Sequence, residues 1–120
     1  MASPLNLAVE IDAGLAEQAR QSVGFLPLEE LNAGIARFFA STSELVFGDE
    51  TADHAFARFD AALTRRKAKG ARDLMLVTHG TILTLYLSRT LGIDPMPFWR
   101  ALAIPAAIVV ESGQIRMLAA

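Results

Sequence analysis

The chain has 120 residues, enough for one domain with a modest core. Its composition, 52% hydrophobic and 20% charged, excludes a natively disordered chain. A net charge of -2 excludes a general electrostatic affinity for nucleic acid or anionic lipid, and the lack of cysteine excludes disulfides and a thiol nucleophile.

The sequence carries no signal for export or membrane insertion. Residues 1–4 lack the basic and apolar regions of a signal peptide. The longest apolar stretch, residues 101–110, contains Pro105 and is too short to cross a bilayer. We therefore expect a cytoplasmic protein with neither a membrane nor a nucleic-acid partner.

The first half of the chain predicts a strand, an irregular segment and a helix. Apolar residues alternate with polar or small ones over residues 7–11, which is typical of a strand with one buried face. Residues 15–24 follow neither period, so we expect an irregular segment there. Residues 27–40 predict an amphipathic helix whose apolar stripe comprises Leu31, Ile35, Phe38 and Phe39.

The next part predicts a helix, a central strand and a further helix. Residues 51–69 carry an apolar stripe, and we interpret the basic run 65–69 as solvated charge that complements the end of the helix dipole. Residues 74–77 form a continuous apolar run, typical of a strand buried on both faces of a sheet. Residues 82–91 predict a helix that ends at Gly92.

The final part predicts a turn and a hairpin. Pro95 and Pro97 bracket the turn, and residues 107–111 and 115–118 predict two short strands joined through a loop. Because helices alternate with strands, we expect a single α/β domain over residues 1–120, with a layered sheet flanked by helices.

The most informative site is the segment Val77–Thr81. It places the His79 imidazole at the carboxyl end of the predicted buried strand, directly before a helix, where open α/β sheets bind ligands. The free N–H groups of a helix N-terminus can hold phosphate, and Gly80 would allow its close approach. A histidine at such a junction can equally be a packed or capping residue, so both interpretations stay open.

Three segments together resemble the histidine phosphatases, a phosphoglycerate-mutase-like superfamily. Residues 74–80, followed by an apolar helix, a tryptophan and residues 102–111, resemble the segment that carries the second histidine of that family. Gly48–Thr51 with Arg58 is similar to its Gly-Glu-Ser segment and the following helix, although Asp49 is inserted. Leu15–Glu17 resembles the Leu-x-Glu segment that in many members carries a proton-donating glutamate.

The resemblance implies two-step phosphoryl transfer through a phosphorylated histidine, on phosphate or a phosphorylated small molecule. On the matching positions, His79 is the second catalytic histidine and Glu17 the catalytic acid. Gly80 and Thr81 are the phosphate-binding backbone donors. Glu17 can also be an ordinary loop carboxylate. The two histidines have no zinc-ligand spacing and no nucleotide-binding glycine motif occurs, so we expect no metal and no cofactor.

One departure from the family bears on activity. The family's first strand ends in Arg-His-Gly, whereas this sequence has no Arg-His pair, and its other histidine, His54, lies within a predicted helix as a surface residue. The segment with the nucleophile would precede Met1, so we expect an incomplete fold without activity by itself. The missing part would come from another chain or from upstream sequence; alternatively, the chain is a non-catalytic α/β interaction or phosphate-binding module.

The missing first strand also leads to an expectation about assembly. In the family that strand lies beside the one that carries the second histidine. Its loss would leave the strand at residues 74–78 with one unpaired edge, which could pair with another chain. We therefore expect a homo-oligomer formed through this exposed sheet edge.

Overall fold

A computed structural model describes residues 11–68, 76–102, 107–111 and 114–118 of the chain. Within these residues, a 3-10 helix at Ala13–Leu15 is followed by four α-helices and two strands. The helices are α1 (Leu28–Ala40), α2 (Ala52–Ala68), α3 (Gly80–Leu91) and α4 (Pro95–Ala101), and the strands are β1 (Ala107–Glu111) and β2 (Gln114–Leu118).

Helices α1 and α2 confirm the two helices that the apolar periodicity of the sequence predicts. Pro27 is the N-cap of α1, and Glu29 and Glu30 in the first turn complement the positive end of the helix dipole. Helix α2 carries Asp53 in its first turn and basic residues in its last. It buries one apolar stripe, formed by Ala52, Ala55, Phe59, Ala62 and Leu63.

Helices α3 and α4 differ from the sequence prediction at their ends. Helix α3 begins at Gly80, two residues earlier than predicted, with His79 as its N-cap, and it ends at Gly92 in the left-handed conformation with φ of 73°. The predicted turn at Pro95 is instead the start of α4. The first turn of a helix needs no N–H partners, so Pro95 and Pro97 are compatible with it.

A single apolar cluster joins the helices. Helix α3 packs against both α2 and α4, the 3-10 helix packs against α2, and α1 contacts α4. The buried members come from α1, α2, α3 and the loop before α2, and they are Ile35, Phe38, Phe47, Ala52, Ala55, Phe59, Leu63, Ile82 and Leu85. Trp99 of α4 packs against this cluster from one side.

The C-terminal hairpin is confirmed. Strands β1 and β2 pair antiparallel, with Ala107 opposite Leu118 and Glu111 opposite Gln114.

The expected α/β fold, a layered sheet flanked by helices, is wrong. The described residues are mostly helical, and their only strands are the two of the hairpin. Leu76, Val77 and Thr78 of the predicted central strand are not in a strand, and Val77 is 89% exposed. The helices bury their apolar stripes against one another instead of covering a sheet. Residues 74–75 and most of the first predicted strand, residues 7–10, lie outside the described residues.

Without that sheet, the expected homo-oligomer has no structural basis in the described residues. It required a strand at residues 74–78 with one unpaired edge, and the described part of this segment belongs to no strand.

Within the residues that the structure describes, no helix is both long and apolar enough to span a membrane.

Candidate functional site

The predicted site residues His79, Gly80 and Thr81 lie together at the N-terminus of α3. His79 has extended backbone angles, its side chain is exposed, and its imidazole does not cap the helix. Gly80 and Thr81 are the first two helical residues, so their N–H groups have no partner within the helix. A side chain at position 80 would make only an ordinary contact, 3.5 Å from Leu102 Cδ1, so Gly80 is not required by crowding.

The Glu17 carboxylate binds this helix end. Its Oε2 accepts a hydrogen bond from the Thr81 N–H at 3.0 Å, and its Oε1 accepts one from the Ile82 N–H at 2.7 Å. A carboxylate at this position satisfies two unpaired amides and meets the positive end of the helix dipole. The structure therefore brings Glu17 into contact with the segment that the resemblance assigns to phosphate.

Two further hydrogen bonds join the same segments. The Thr78 hydroxyl donates to the Leu15 carbonyl at 2.7 Å, one residue before the α3 N-cap. The Trp99 indole N–H of α4 donates to the Thr81 hydroxyl at 3.1 Å, and Thr81 is almost completely buried. The start of α3 is thus held by residues 15–17 and by α4.

Arg58 of α2 holds the backbone of the segment that carries Glu17. Its Nη1 donates to the carbonyls of Gly14 and Ala16, both at 2.8 Å, and its Nη2 donates to the Glu17 carbonyl at 3.0 Å. Its Nε and Nη2 also donate to the Glu50 carboxylate, at 2.7 and 2.9 Å. A single guanidinium therefore connects α2, Glu50 and the backbone of residues 14–17.

Glu50 is a buried carboxylate at the centre of this network. Besides Arg58, its Oε1 accepts from the Ala19 N–H at 3.2 Å, and its Oε2 lies 2.7 Å from Nδ1 of His54. Burial alone would raise the pKa of the Glu50 carboxyl, but its bonds to Arg58, Ala19 and His54 outweigh burial and lower the pKa. The His54 side chain is itself 72% exposed, which agrees with the predicted surface position.

The two ends of the segment from Asp12 to Ser22 are anchored separately. Asp12 pairs with Arg65 at 3.0 Å and Arg66 at 3.5 Å, and the Gly14 amide followed by Arg65 lowers its pKa. The basic run on α2 therefore binds Asp12 and is not only solvated charge. At the other end, the carboxylate of Asp49 binds the hydroxyl and the N–H of Ser22.

Gln18 is a residue of this region that the sequence did not point to. It is only 2% exposed. Its Nε2 donates to the Phe47 carbonyl at 2.7 Å and to the Glu50 carbonyl at 3.3 Å. A glutamine in an irregular segment carries no periodic signal, and its partners are about thirty residues away along the chain. Only its position next to Glu17 could have drawn attention to it.

The family model of the histidine phosphatase superfamily (branch 1) matches residues 1–113. The chain belongs to this superfamily. The membership confirms the resemblance and associates the protein with phosphoryl transfer and phosphate-related substrates. No curated protein and no solved structure matches the chain.

The residues that the structure describes contain no group of three or more histidine, cysteine, aspartate or glutamate side chains placed to hold a metal ion. In this superfamily member, the described groups that could meet a phosphate oxygen include the backbone N–H groups at the start of α3 and the adjacent His79 imidazole. The Gly80 N–H donates to no other group in the described part of the chain, whereas those of Thr81 and Ile82 donate to Glu17.

Proposed function

We propose that the chain is a phosphoryl-transfer domain of the histidine phosphatase type that holds part of a phosphate site and does not turn over phosphate esters by itself. His79 is the second histidine, Glu17 the acid, and Gly80 and Thr81 the backbone donors to phosphate. The site is assigned to a phosphate or a phosphorylated small molecule, without a metal or cofactor.

One observation carries this proposal: the Glu17 carboxylate lies on the amides that directly follow His79 and Gly80. An acid that protonates a leaving oxygen has to lie within hydrogen-bond reach of the bound phosphoryl group. Glu17 and Thr81 are 64 positions apart in the sequence, so their contact is a product of folding. It supports a common site for the two segments that resemble catalytic segments of the family.

The proposed lack of turnover follows from the sequence. Neither of the two histidines follows an arginine, as the family's nucleophile does. Without a nucleophile the covalent step has no acceptor for the phosphoryl group. A second polypeptide or further sequence that supplies Arg-His-Gly would complete the site.

A non-catalytic interaction or phosphate-binding module is the second candidate, and one contact favours it. Glu17 already occupies two of the three amides at the start of α3, as an internal replacement for an anionic ligand. A phosphate at Thr81 would have to displace this carboxylate, whereas one at Gly80 would lie beside its negative charge. Phosphate binding is therefore expected to be weak.

The first experiment measures hydrolysis of p-nitrophenyl phosphate by the purified chain, with His79→Ala and His54→Ala variants as the comparison. We expect no hydrolysis above the buffer rate for any of them. Turnover that His79→Ala abolishes and His54→Ala retains would contradict the proposed inactivity, because His79 itself would then have to attack. Turnover that both variants retain would identify a contaminating phosphatase.

The second experiment maps phosphate binding by NMR. We expect inorganic phosphate to shift the amide resonances of Gly80 and Thr81 and the ring signals of His79. Glu17→Gln should bind phosphate about tenfold more tightly because it removes a competing negative charge, while the exposed Glu44→Gln should not. Shifts confined to residues 65–67 would contradict the assigned site, and an absence of shifts would favour the interaction module.

A further inference from the structure

The hydrogen bonds of Arg58 use every donor that its guanidinium has. One N–H of Nε and one of Nη2 bind the two oxygens of Glu50, and the remaining three bind the carbonyls of Gly14, Ala16 and Glu17. An arginine offers five N–H donors in a rigid planar fork, so no donor is left for another partner. The side chain is therefore committed to one geometry.

The three carbonyls belong to the segment that leads to the Glu17 side chain. The Glu17 carbonyl lies 3.0 Å from Arg58 Nη2, while its carboxylate lies 2.7 Å from the Ile82 N–H on α3. Glu17 thus connects α2 to α3, with its main chain on one helix and its side chain on the other. A shift of the backbone at residue 17 would move the carboxylate away from the α3 amides.

Glu50 orients the guanidinium and also holds the segment after Glu17. Its two oxygens receive Nε and Nη2 of Arg58, a bidentate arrangement that allows a single orientation of the fork. The same carboxylate accepts the Ala19 N–H at 3.2 Å. The backbone is therefore bound on both sides of the residue that carries the carboxylate.

We propose that Arg58 is a positioning residue, which, oriented by Glu50, sets the backbone of residues 14–17 so that the Glu17 carboxylate meets the N-terminal amides of α3. The inference rests on the proposed role of Glu17 at the phosphate site. A lysine cannot replace Arg58, because its ammonium is a single point charge with three donors and cannot bind a carboxylate and three carbonyls together.

The test compares Arg58→Lys with Glu17→Gln by the amide resonances and hydrogen exchange of Thr81 and Ile82, without phosphate. We expect both variants to move these two resonances in the same direction, and to increase exchange at both amides about tenfold as the charged acceptor is lost. In a Glu17→Gln background, Arg58→Lys should add no further change at these amides. A residue that only holds the fold would not give this dependence on Glu17.

Arg89→Lys is the matched control. Arg89 also connects α3 to α2, through an ion pair with Asp53 at 2.8 Å, but it has no contact with the Glu17 segment in the described residues. It should leave the Thr81 and Ile82 amides unchanged. Unchanged amides in Arg58→Lys, together with a lower unfolding free energy, would overturn the proposal.

If Arg58→Lys does not fold, Glu50→Gln tests the positioning of Glu17 instead. It retains an oxygen acceptor but weakens the bidentate pair, so we expect a smaller change at Thr81 and Ile82 in the same direction as Glu17→Gln. Unchanged amides would overturn the proposal here too. Because phosphate is absent from these measurements, their failure contradicts only the positioning by Arg58, whereas failure of the phosphate titration contradicts the proposed function.

Discussion

Glu50 is a buried carboxylate whose hydrogen bonds determine how stability depends on pH. Four donors or ring nitrogens meet its two oxygens: Nε and Nη2 of Arg58, the Ala19 N–H and Nδ1 of His54. These partners favour the charged form more than burial disfavours it, so the pKa is lowered from its ordinary value of 4.5. A group whose pKa is lowered by folding stabilises the protein above its unfolded pKa and loses that contribution as the pH falls through its folded pKa.

We predict that Glu50→Gln is less stable than the wild type at neutral pH, by roughly 1–3 kcal/mol, because it removes the charged acceptor that binds Arg58, Ala19 and His54. The difference should shrink as the pH falls below 4.5, since the carboxyl of the unfolded chain is protonated there, whereas the folded one keeps its charge down to its lowered pKa. Urea denaturation at about pH 7 and about pH 3.5 measures both values. Glu44→Gln, at an exposed site, is the control; a constant difference between Glu50→Gln and wild type would contradict the prediction.

At the scale of the elements, the contact between α1 and the loop before α2 depends on a glycine. Gly34 lies inside α1, where glycine is unfavourable for a helix, and it is buried. A Cβ at this position would overlap with the aromatic ring of Phe47. The missing side chain therefore lets the Phe47 ring pack directly on the helix backbone.

We predict that Gly34→Ala destabilises the protein by about 1–3 kcal/mol, although alanine favours helices, because the Phe47 ring has to move. In a Phe47→Ala background the same change should become neutral or stabilising by up to about 1 kcal/mol, as helix propensity alone then acts. A double-mutant cycle from chemical denaturation measures the difference. Equal stability of Gly34→Ala and wild type would show that the ring moves without cost.

At the scale of the whole molecule, the shared apolar cluster couples the four helices. Phe59 is fully buried among side chains of α1, α2 and α3, and Trp99 brings α4 against the same cluster. Trp99 is the only tryptophan in the chain. Its fluorescence therefore reports on the surroundings of α4, whereas far-UV circular dichroism reports on all helices.

We predict that unfolding followed by Trp99 fluorescence and by circular dichroism gives coincident urea transitions, as a single cooperative unit requires. Phe59→Leu should shift both transitions together, with a loss of about 1–2 kcal/mol from reduced packing. If fluorescence changes at a lower urea concentration than circular dichroism, α4 unfolds independently and the coupling through the cluster is contradicted.

The sequence was sufficient to predict the local structure that periodic apolar residues and end signals specify. It predicted α1, α2 and α3 from their apolar stripes and from Gly92, and it predicted the hairpin from two short apolar runs. The histidine phosphatase resemblance, which rests mainly on the segment around His79, was also sufficient to identify the superfamily. These features depend on residues that are close together along the chain.

Only the tertiary structure decided which segments meet. The apolar run before His79 has the length and composition of a buried strand, but neighbouring chain segments decide whether it pairs, and its described part belongs to no strand. The placement of the Glu17 carboxylate on Thr81 and Ile82, and the five bonds of Arg58, join residues more than forty positions apart in most cases. Such contacts form because buried charges and helix-end amides require partners, and the partner that satisfies them depends on how the helices pack.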